Sequence, residues 1–319
     1  MKHFFKVFFI SLLCFVLMIG AGVYTYVKFF NPSDRKDFTQ VEDPMWDKGD
    51  GSDADEMTPL EMAIQDSKRI NIVLLGIEDG RTDTIMLVSF DKATAEADII
   101  SIPRDTFFHR EGYDSPGSKK INAVYGSTKA QGVIGALENI LKIPVHNFIT
   151  VDYEGVEKAV DAIGGVAVSV PFDMEYEDAY DVPPLVIDIK AGDQVLDGDQ
   201  ALQYLRFRHN NDLTVGYPNG DLGRIAAQQE FVKSAVKKAL GLKLPSVVKA
   251  VYPYIKTDLS LADMLLLAGD AVNFSVENLE TKMLPGHATI IDGLSFYVHD
   301  PREVEDMVEE LYMDGTSQQ

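Results

Sequence analysis

An uncharged run near the amino terminus limits what this chain can fold into more than any other feature. No charged residue lies between Val7 and Val27, and a helix of that length spans about 30 Å, the thickness of a bilayer core. A cleaved signal peptide is the alternative. Its apolar segment, however, is about 7 to 15 residues long and ends at a small-x-small site, whereas Gly20-Ala21-Gly22 is followed by more apolar residues. The run predicts a transmembrane anchor, residues 1–30 including a short tip.

The flanking charges predict the orientation of this anchor. Lys2 and Lys6 precede it, which favours a cytoplasmic amino terminus, although Lys28 and Arg35 follow it and weaken the bias. We therefore expect a single-pass protein of the cell membrane with its remaining residues extracellular. The single cysteine, Cys14, falls within the predicted anchor, so the exported part forms no disulfide of its own.

Net charge narrows the class of ligand. The formal charge of −21 argues against a nucleic-acid partner, which needs clustered Lys and Arg. Residues 31–65 are rich in proline and acids and are predicted to be an extracellular linker. A calcium-binding loop is the alternative interpretation of the acids at 47–56, but the distal glutamate of the twelve-residue pattern is missing. If anions bind to this chain, positive charge must be concentrated locally in a site.

Strand-like and helix-like segments alternate after the linker. Short apolar runs typical of buried strands are Ile70–Gly76, Thr84–Phe90, Asp98–Ile102, Asn147–Val151, Val166–Val170, Leu185–Ile189, Glu280–Leu284 and Ser295–Val298. Helical spacing marks Ala123–Lys142, Tyr153–Ile163, Asp199–Arg206 and Leu222–Leu240, and two or three more helices are expected in 245–313. This alternation predicts an α/β fold of α-β-α layers, with a central mixed sheet flanked by helices. The segment 173–184 is a polar stretch to which no strand is assigned. We expect one domain over 66–313 and a tail at 314–319.

Two candidate site segments follow predicted strands. Gly76–Thr84 places Glu78, Arg81 and Asp83 between two strands, at the edge where open α/β sheets bind ligands; a turn rich in Asp and Gly is the alternative. Arg104 lies at the end of the third strand, although it could simply pair with the neighbouring Asp105.

Two further candidates lie later in the chain. Arg206 and Arg208 flank an aromatic residue and share a side only if that stretch is extended. Arg224 and Gln228 are one helical turn apart near a helix amino terminus, which favours anions. Each arginine alone is more often a surface ion pair. Together they suggest a phosphate pocket, because guanidinium groups bind phosphate oxygens bidentately.

The same segments carry a family resemblance. The chain resembles the LytR-CpsA-Psr family of cell-wall polymer transferases across nearly its whole predicted extracellular part. The matching stretches are Asn71-Ile-Val-Leu-Leu-Gly76, Arg81-Thr-Asp-Thr-Ile-Met-Leu87, Ile100-Ser-Ile-Pro-Arg-Asp105, Lys120-Ile-Asn122, Ile163-Gly-Gly-Val166, Leu196-Asp-Gly198, Ala201-Leu-Gln-Tyr-Leu-Arg-Phe-Arg208 and Gly220-Asp-Leu-Gly-Arg224.

The resemblance implies a reaction and its site residues. A glycopolymer phosphate passes from a polyprenyl-pyrophosphate carrier to a sugar hydroxyl of peptidoglycan, releasing polyprenyl phosphate, with the lipid tail in an apolar pocket between sheet and helices. Implied pyrophosphate ligands are Arg81, Arg104, Arg206, Arg208, Arg224 and Gln228. Implied catalytic residues are Arg81, Asp83, Arg104, Arg208 and Arg224. Asp83 and Glu78 are implied ligands of Mg²⁺, with Mn²⁺ as the alternative metal. Positioning and charge neutralisation are what phosphoryl transfer requires of a protein.

The chain departs from the family pattern at three places, and three rival functions remain as alternatives. Glu78 replaces the usual Asp, Ala227 replaces a frequent Arg, and the insertion 210–219 separates Arg208 from Arg224. The group that accepts the hydroxyl proton is also open, with Asp83 and Asp105 as candidates. The rival functions are a lipid-pyrophosphate hydrolase, a non-enzymatic membrane-bound regulator or transcriptional attenuator, and a binding module for anionic lipid.

Overall fold

A computed structural model describes residues 57–181, 184–218, 220–240, 244–271 and 274–313 of the 319-residue chain. The predicted anchor, most of the predicted linker and the predicted tail lie outside these residues. Within them, no helix combines the length and the apolar character that crossing a bilayer requires.

A six-stranded mixed sheet forms the centre of the fold, with the strand order β10-β3-β2-β1-β4-β9. Its strands are β1 Arg69–Glu78, β2 Arg81–Asp91, β3 Glu96–Ser101, β4 Asn147–Val151, β9 Ile255–Thr257 and β10 Leu279–Met283. The pairs β1/β4 and β3/β10 are parallel, and the pairs β1/β2, β2/β3 and β4/β9 are antiparallel. Strands β1, β3, β4 and β10 therefore end at the same edge of the sheet.

Helices cover both faces of this sheet. They are α1 Pro59–Asp66, α2 Val124–Leu141, α3 Tyr153–Ala162, α4 Gly198–Arg206, α5 Asp221–Leu240, α6 Leu244–Val251, α7 Leu261–Asp270 and α8 Pro301–Met313. The main core packs α2 and α8 against one face, where Val73 and Leu75 of β1 are fully buried. On the other face, Val232 and Val236 of α5 pack against Met86 of β2. This confirms the predicted α/β class with a mixed sheet between helices.

Three two-stranded sheets complete the described part. They are β5 Val166–Val170 with β8 Gly192–Leu196, β6 Met174–Asp178 with β7 Leu185–Ile189, and β11 Gly286–Ile291 with β12 Leu294–His299. The first two surround a separate apolar cluster that contains Phe207 and Phe231. Strand β6 lies within 173–184, which the sequence analysis treated as a polar stretch.

A buried polar network joins β1 to the last helix. The Asn71 side chain donates to the carbonyl of Pro144 at 2.7 Å and to the Tyr312 hydroxyl at 2.8 Å, while its backbone NH donates to His146 Nδ1 at 2.9 Å. Asn71 is completely buried, so these bonds satisfy donors that would otherwise be costly. The network ties α8 to the start of the central sheet.

Two predicted boundaries need correction. The predicted linker, 31–65, ends in helix α1, whose Leu60 and Ile64 pack against the main core. Thr58 caps this helix and exchanges hydrogen bonds with Glu61. The segment predicted as a loop, Gly76–Thr84, is almost entirely strand, because β1 and β2 are joined by a two-residue turn at Asp79-Gly80.

Candidate functional site

A cleft of about 330 Å³ opens at the edge of the sheet where β1 and β4 end. Helices α3 and α4 and the β6–β7 hairpin close its other sides. Polar lining residues are Glu78, Asp83, Thr84, Arg104, Asp152, Tyr153, Tyr176, Asp178, Asp181, Arg206, Arg208, His209, Arg224 and Gln228. The volume lies within the range of small-molecule sites.

A β-bulge directs Asp83 toward this cleft. Gly76 pairs with Thr84 and Ile77 pairs with Thr82, so Asp83 is an extra residue on β2 with no partner on β1. Bulges of this kind change the direction of a side chain next to functional sites. The Asp83 carboxylate accepts a hydrogen bond from Arg104 Nη1 at 2.5 Å. Burial lowers the pKa of Arg104, but the negative charge of Asp83 raises it, and the pKa ends above its ordinary value.

Arg104 belongs to a cluster of three arginines around Asp221. Asp221 lies 2.7 Å from Arg224, 3.7 Å from Arg208 and 3.9 Å from Arg104. Burial lowers the pKa of Arg224, Asp221 opposes this effect, and the other two arginines lower it further. Asp221 is therefore the main compensating charge for Arg224.

The first turns of α5 supply the most buried polar side chains of the site. Arg224 and Gln228 are each 7% exposed and lie one turn apart on the helix. Gln228 donates to the carbonyl of Leu205 at 3.2 Å, which fixes its amide. The Nε atoms of Arg224 and Arg104 are buried and have no hydrogen-bond partner among the described residues. Unused buried donors of this kind favour an anionic ligand in the cleft.

Arg206 and Arg208 occupy different positions in the cleft. Arg206 is the last residue of α4, and its Nη2 contacts Glu78 at 3.0 Å and Asp181 at 2.6 Å. Its guanidinium also lies 4.4 Å from the centre of the Tyr153 ring. The backbone is extended at Phe207, which carries Arg208 away from Glu78 and toward Asp221. The two arginines thus reach the two ends of one charged cluster.

Glu78 and Asp83 are two carboxyl groups that interact directly in the cleft. Burial and a hydrogen bond to Asp83 raise the pKa of Glu78 to about 7. Burial alone would raise the pKa of Asp83, but the hydrogen bond from Glu78 and the charge of Arg104 bring it below its ordinary value. Glu78 is thus the proton donor of the pair. The Tyr153 hydroxyl also contacts Glu78, and burial followed by this contact raises the pKa of Tyr153.

This pair fits the implied magnesium ion. Mg²⁺ commonly binds one or two carboxylates together with substrate phosphates and water, and a cation would replace the proton that the pair shares. No group of three or more His, Cys, Asp or Glu side chains that could hold a metal occurs among the described residues. A site here would therefore depend on ligands from the substrate.

Apolar side chains supply much of the remaining lining of the cleft. They come from β1, β4, α3, β7 and α4 and from the residue after α4, and comprise Ile77, Val151, Val156, Leu185, Ile187, Leu202, Leu205 and Phe207. The cleft therefore offers both charged and apolar contacts, as a ligand with an anionic head and a hydrocarbon tail requires.

All the predicted site residues except Arg81 line this cleft. Arg81 is exposed at the start of β2 and outside the lining, so its role stays a prediction. Sequence analysis missed Tyr153, Asp181 and Asp221. Tyr153 follows β4 directly, so the strand-end argument applied to β1 could have identified it. Asp221 lies three residues before Arg224 in a helix, which is also a readable signal.

Two of the three departures from the family pattern, Ala227 and the insertion, lie in different parts of the structure. Ala227 packs in the apolar cluster around Phe231 and is not part of the cleft lining. In the insertion, residues 210–218 form a closed loop, because the Tyr217 backbone NH donates to the carbonyl of Arg208 at 3.1 Å. The Asn211 side chain bonds both the NH and the carbonyl of Glu177, at 2.9 and 2.8 Å. The insertion thus attaches the Arg208 side of the cleft to β6.

The fold and this cleft define a class of α/β protein that is equipped to hold an amphiphilic phosphate ligand. The sequence profile of the LytR_cpsA_psr family matches residues 33–312. The chain therefore belongs to the LytR_cpsA_psr family, which confirms the resemblance seen in its sequence.

Individual relatives agree with this assignment. The chain is 27% identical to the polyisoprenyl-teichoic acid–peptidoglycan teichoic acid transferase TagU of Enterococcus faecalis, over 97% of this chain and 96% of that protein. It is 26% identical to biofilm regulatory protein A of Streptococcus mutans, over 81% of this chain and 65% of the relative. The crystal structure of Bacillus subtilis TagV superposes with a TM-score of 0.63 at 26% identity, covering 76% of this chain and 97% of that one.

Proposed function

We propose that this protein is a membrane-anchored phosphotransferase that moves a glycopolymer phosphate from a polyprenyl-pyrophosphate carrier to a sugar hydroxyl of peptidoglycan. The observation that carries the proposal is the cleft itself, whose lining combines four arginines and Gln228 with a carboxyl pair and with apolar side chains. The name of the TagU relative, polyisoprenyl-teichoic acid–peptidoglycan teichoic acid transferase, supports the same reaction.

In this proposal the arginines bind the pyrophosphate by replacing their present carboxylate partners. Arg104, Arg208 and Arg224 surround Asp221, and phosphate oxygens can take the same donors with bidentate geometry. Because guanidinium groups stay charged, they stabilise the negative charge that develops on the phosphate oxygens in the transition state. The apolar side chains that line the cleft would contact the first units of the lipid tail.

The reaction is a displacement at the phosphorus that bears the glycan. The acceptor hydroxyl oxygen forms a bond to that phosphorus, the bond to the bridging oxygen breaks, and polyprenyl phosphate leaves. Of the two carboxylates considered for the hydroxyl proton, Asp83 lines the cleft, whereas Asp105 lies outside the lining and pairs with Lys120 at 3.0 Å. We therefore assign acceptance of the hydroxyl proton to the Asp83 carboxylate. Mg²⁺ held by Asp83 and Glu78 would neutralise pyrophosphate charge.

The proposed location follows from the sequence. The predicted anchor, residues 1–30, would place the cleft outside the cytoplasmic membrane, on the side where peptidoglycan lies. A lipid carrier would reach the cleft from the outer leaflet.

The decisive experiment measures covalent transfer. Full-length protein in detergent micelles is incubated with Mg²⁺, a lipid-pyrophosphate-linked glycan and peptidoglycan oligomers, and the products are separated by mass. Glycan attached to peptidoglycan supports the proposal. Release of lipid phosphate without attachment identifies a hydrolase, and binding without either product identifies a lipid-binding module or a regulator.

Two arginine variants test the site. Arg104→Ala and Arg208→Ala should each lower transfer at least about 100-fold, because removing one donor from a preorganised anion site costs about 3 kcal/mol of transition-state stabilisation. Arg302→Ala removes an exposed arginine from α8 and serves as the matched control. Circular dichroism checks the fold, and full activity of both cleft variants would refute the site assignment.

A further inference from the structure

A patch of unpaired cations lies beside the cleft. The chain contains 50 acidic residues, yet none occurs from Ser115 to Leu137. Arg110, Lys119 and Lys129 form what we call the cationic surface. Lys129 is exposed, and Arg110 and Lys119 are partly exposed. In a protein of net charge −21, such a local excess needs a physical reason.

Within the described part of the chain, these three cations form no ion pair with a carboxylate. Arg110 instead donates to the Ser127 hydroxyl at 2.7 Å and to the Ser118 carbonyl at 3.4 Å, and its guanidinium lies 4.0 Å from the centre of the Tyr113 ring. Lys129 lies 5.3 Å from the centre of the Tyr125 ring. The nearby Asp114 contacts His109.

Arg110 retains an unused donor. Its Nε is buried without a hydrogen-bond partner among the described residues. Burial lowers the pKa of Arg110, and the influence that opposes burial comes from Tyr113 rather than from a carboxylate. Ser127, Ser118 and Tyr113 hold the guanidinium in place, so Arg110 keeps a fixed orientation and a charge that no carboxylate neutralises.

The backbone at Lys129 is strained. Its φ of 57° and ψ of −155° interrupt α2, in a region that is populated almost entirely by glycine. A lysine persists here although glycine would adopt this conformation at lower cost. Retained strain of this kind is typical of functional positions.

The cationic surface is continuous with the cleft. The Asn122 backbone NH donates to the carbonyl of Arg104, a cleft residue, at 3.2 Å, and Asn122 is three residues from Lys119. On the other side, a Cβ on Gly126 would lie 3.4 Å from the Gly80 carbonyl, so α2 touches the turn that follows Glu78. A ligand that leaves the cleft past this turn meets the cationic surface next.

We propose that the cationic surface binds phosphodiester groups of the donor glycopolymer, beyond the pyrophosphate that the cleft holds. This inference rests on the proposed function, because a polymer whose first phosphates are fixed in the cleft must pass over an adjoining surface. Phosphodiesters repeated along a flexible chain match separate cations, of which Arg110 offers a fixed fork. An anionic membrane is the rival partner, but it would need apolar side chains beside the cations. Among the large apolar residues of 104–130, Tyr113 alone is exposed.

Direct binding tests the surface without the transfer reaction. Full-length protein in detergent micelles is titrated with fluorescent poly(glycerol phosphate) oligomers that carry no lipid, and with neutral dextran. The triple variant Arg110→Gln, Lys119→Gln, Lys129→Gln should bind the oligomer at least about tenfold more weakly at low salt, since each exposed pair contributes up to about a fivefold effect. The control variant replaces three exposed helix lysines, Lys237, Lys238 and Lys249, by Gln and should bind as the wild type does.

Transfer assays then separate this inference from the proposed function. The triple variant should transfer a donor with a single sugar at the wild-type rate and a polyphosphate donor at least fivefold more slowly. Equal oligomer affinity in the triple and control variants overturns the inference. Binding of both variants to vesicles of anionic lipid is measured as well, and if the triple variant loses vesicle binding but keeps oligomer binding, the inference is overturned in favour of a membrane contact. If the wild type transfers nothing, the proposed function fails, while the binding titration still decides the role of the surface.

Discussion

Replacing Asp221 by Asn tests whether its negative charge compensates the arginine charges in the cleft. The variant removes the carboxylate charge that lies among Arg104, Arg208 and Arg224 and keeps the size and the hydrogen-bonding oxygen of the side chain. The contact with Arg224 matters most, because it measures 2.7 Å and the Arg224 side chain is 8% exposed. The contacts at 3.7 and 3.9 Å are longer and more open to solvent.

The expected destabilisation is about 2 to 3 kcal/mol. Breaking a fully buried pair costs about 3 to 5 kcal/mol, and the open cleft reduces this figure because the Asp221 side chain is 22% exposed. For a domain of this size, the loss lowers the melting temperature by about 6 °C. Loss of an acid from the first turn of α5 contributes up to about 1 kcal/mol of the total.

A phosphate ligand should offset part of this loss. Inorganic pyrophosphate no longer competes with a carboxylate in the variant, so it should bind more tightly than in the wild type and raise the melting temperature more. At ten times its dissociation constant it adds about 1.4 kcal/mol. The assay is thermal unfolding of full-length protein with and without pyrophosphate.

Asp199→Asn is the control, because Asp199 is an exposed acid in the first turn of α4. It should lose at most about 1 kcal/mol, the helix-dipole contribution alone, and gain nothing extra from pyrophosphate. If Asp221→Asn is as stable as the wild type, or if pyrophosphate stabilises both equally, the assigned balance of charges is wrong.

Four further predictions follow from three single residues. Because the pKa of Glu78 is raised to about 7, Mg²⁺ binding should release close to one proton at pH 6 and almost none at pH 8, and calorimetry of Glu78→Gln should show no release at either pH. Without metal, protonated Glu78 stabilises the fold fully below pH 4.5, and this stabilisation is lost as the pH rises through about 7. At pH 8 the Glu78→Gln variant should therefore be more stable than the wild type, by about 1 kcal/mol once the screening of a partly exposed group by solvent is included. Lys129→Gly should raise the free energy of unfolding in urea by about 1 kcal/mol, since it relieves the strained backbone; a loss would contradict that strain. Gly80→Ala, at φ +76° with free space around it, should cost about 1 kcal/mol, whereas Gly117→Ala should not.

The buried strands were predictable because their apolar runs are short and bounded. Asn147–Val151, Val166–Val170 and Leu185–Ile189 were placed with the bounds that the structure has. Strand β6 was missed because its acids were counted as a polar stretch. Met174 is buried and Tyr176 partly so, while Glu175 and Glu177 are exposed, which is the alternation of a half-buried strand.

Two local signals were present in the sequence and overlooked. Thr58-Pro59-Leu60-Glu61 has the capping-box pattern with proline at the first helical position, and it marks the start of α1 inside the predicted linker. Asp79-Gly80 between apolar runs is a strong hairpin signal, and both residues have the positive φ that this turn requires.

The arginines of the site were predictable, but their partners were less so. The strand ends and the family motifs pointed to Arg104 and Arg224. Asp181 meets Arg206 only because the β6–β7 hairpin folds over the cleft. Likewise, the bulge that frees Asp83 depends on the register between β1 and β2, which periodicity alone does not specify.

The hydrogen bond between Asn71 and Tyr312 sets a condition on the order of folding. The two residues are 241 positions apart, and the same helix supplies Val304, Met307 and Leu311 to the main core. A chain still being synthesised cannot close this core until its last helix has emerged, and contacts so distant in sequence slow folding. The unfinished chain therefore stays incompletely folded, and a truncation before α8 should leave the central sheet open to proteolysis.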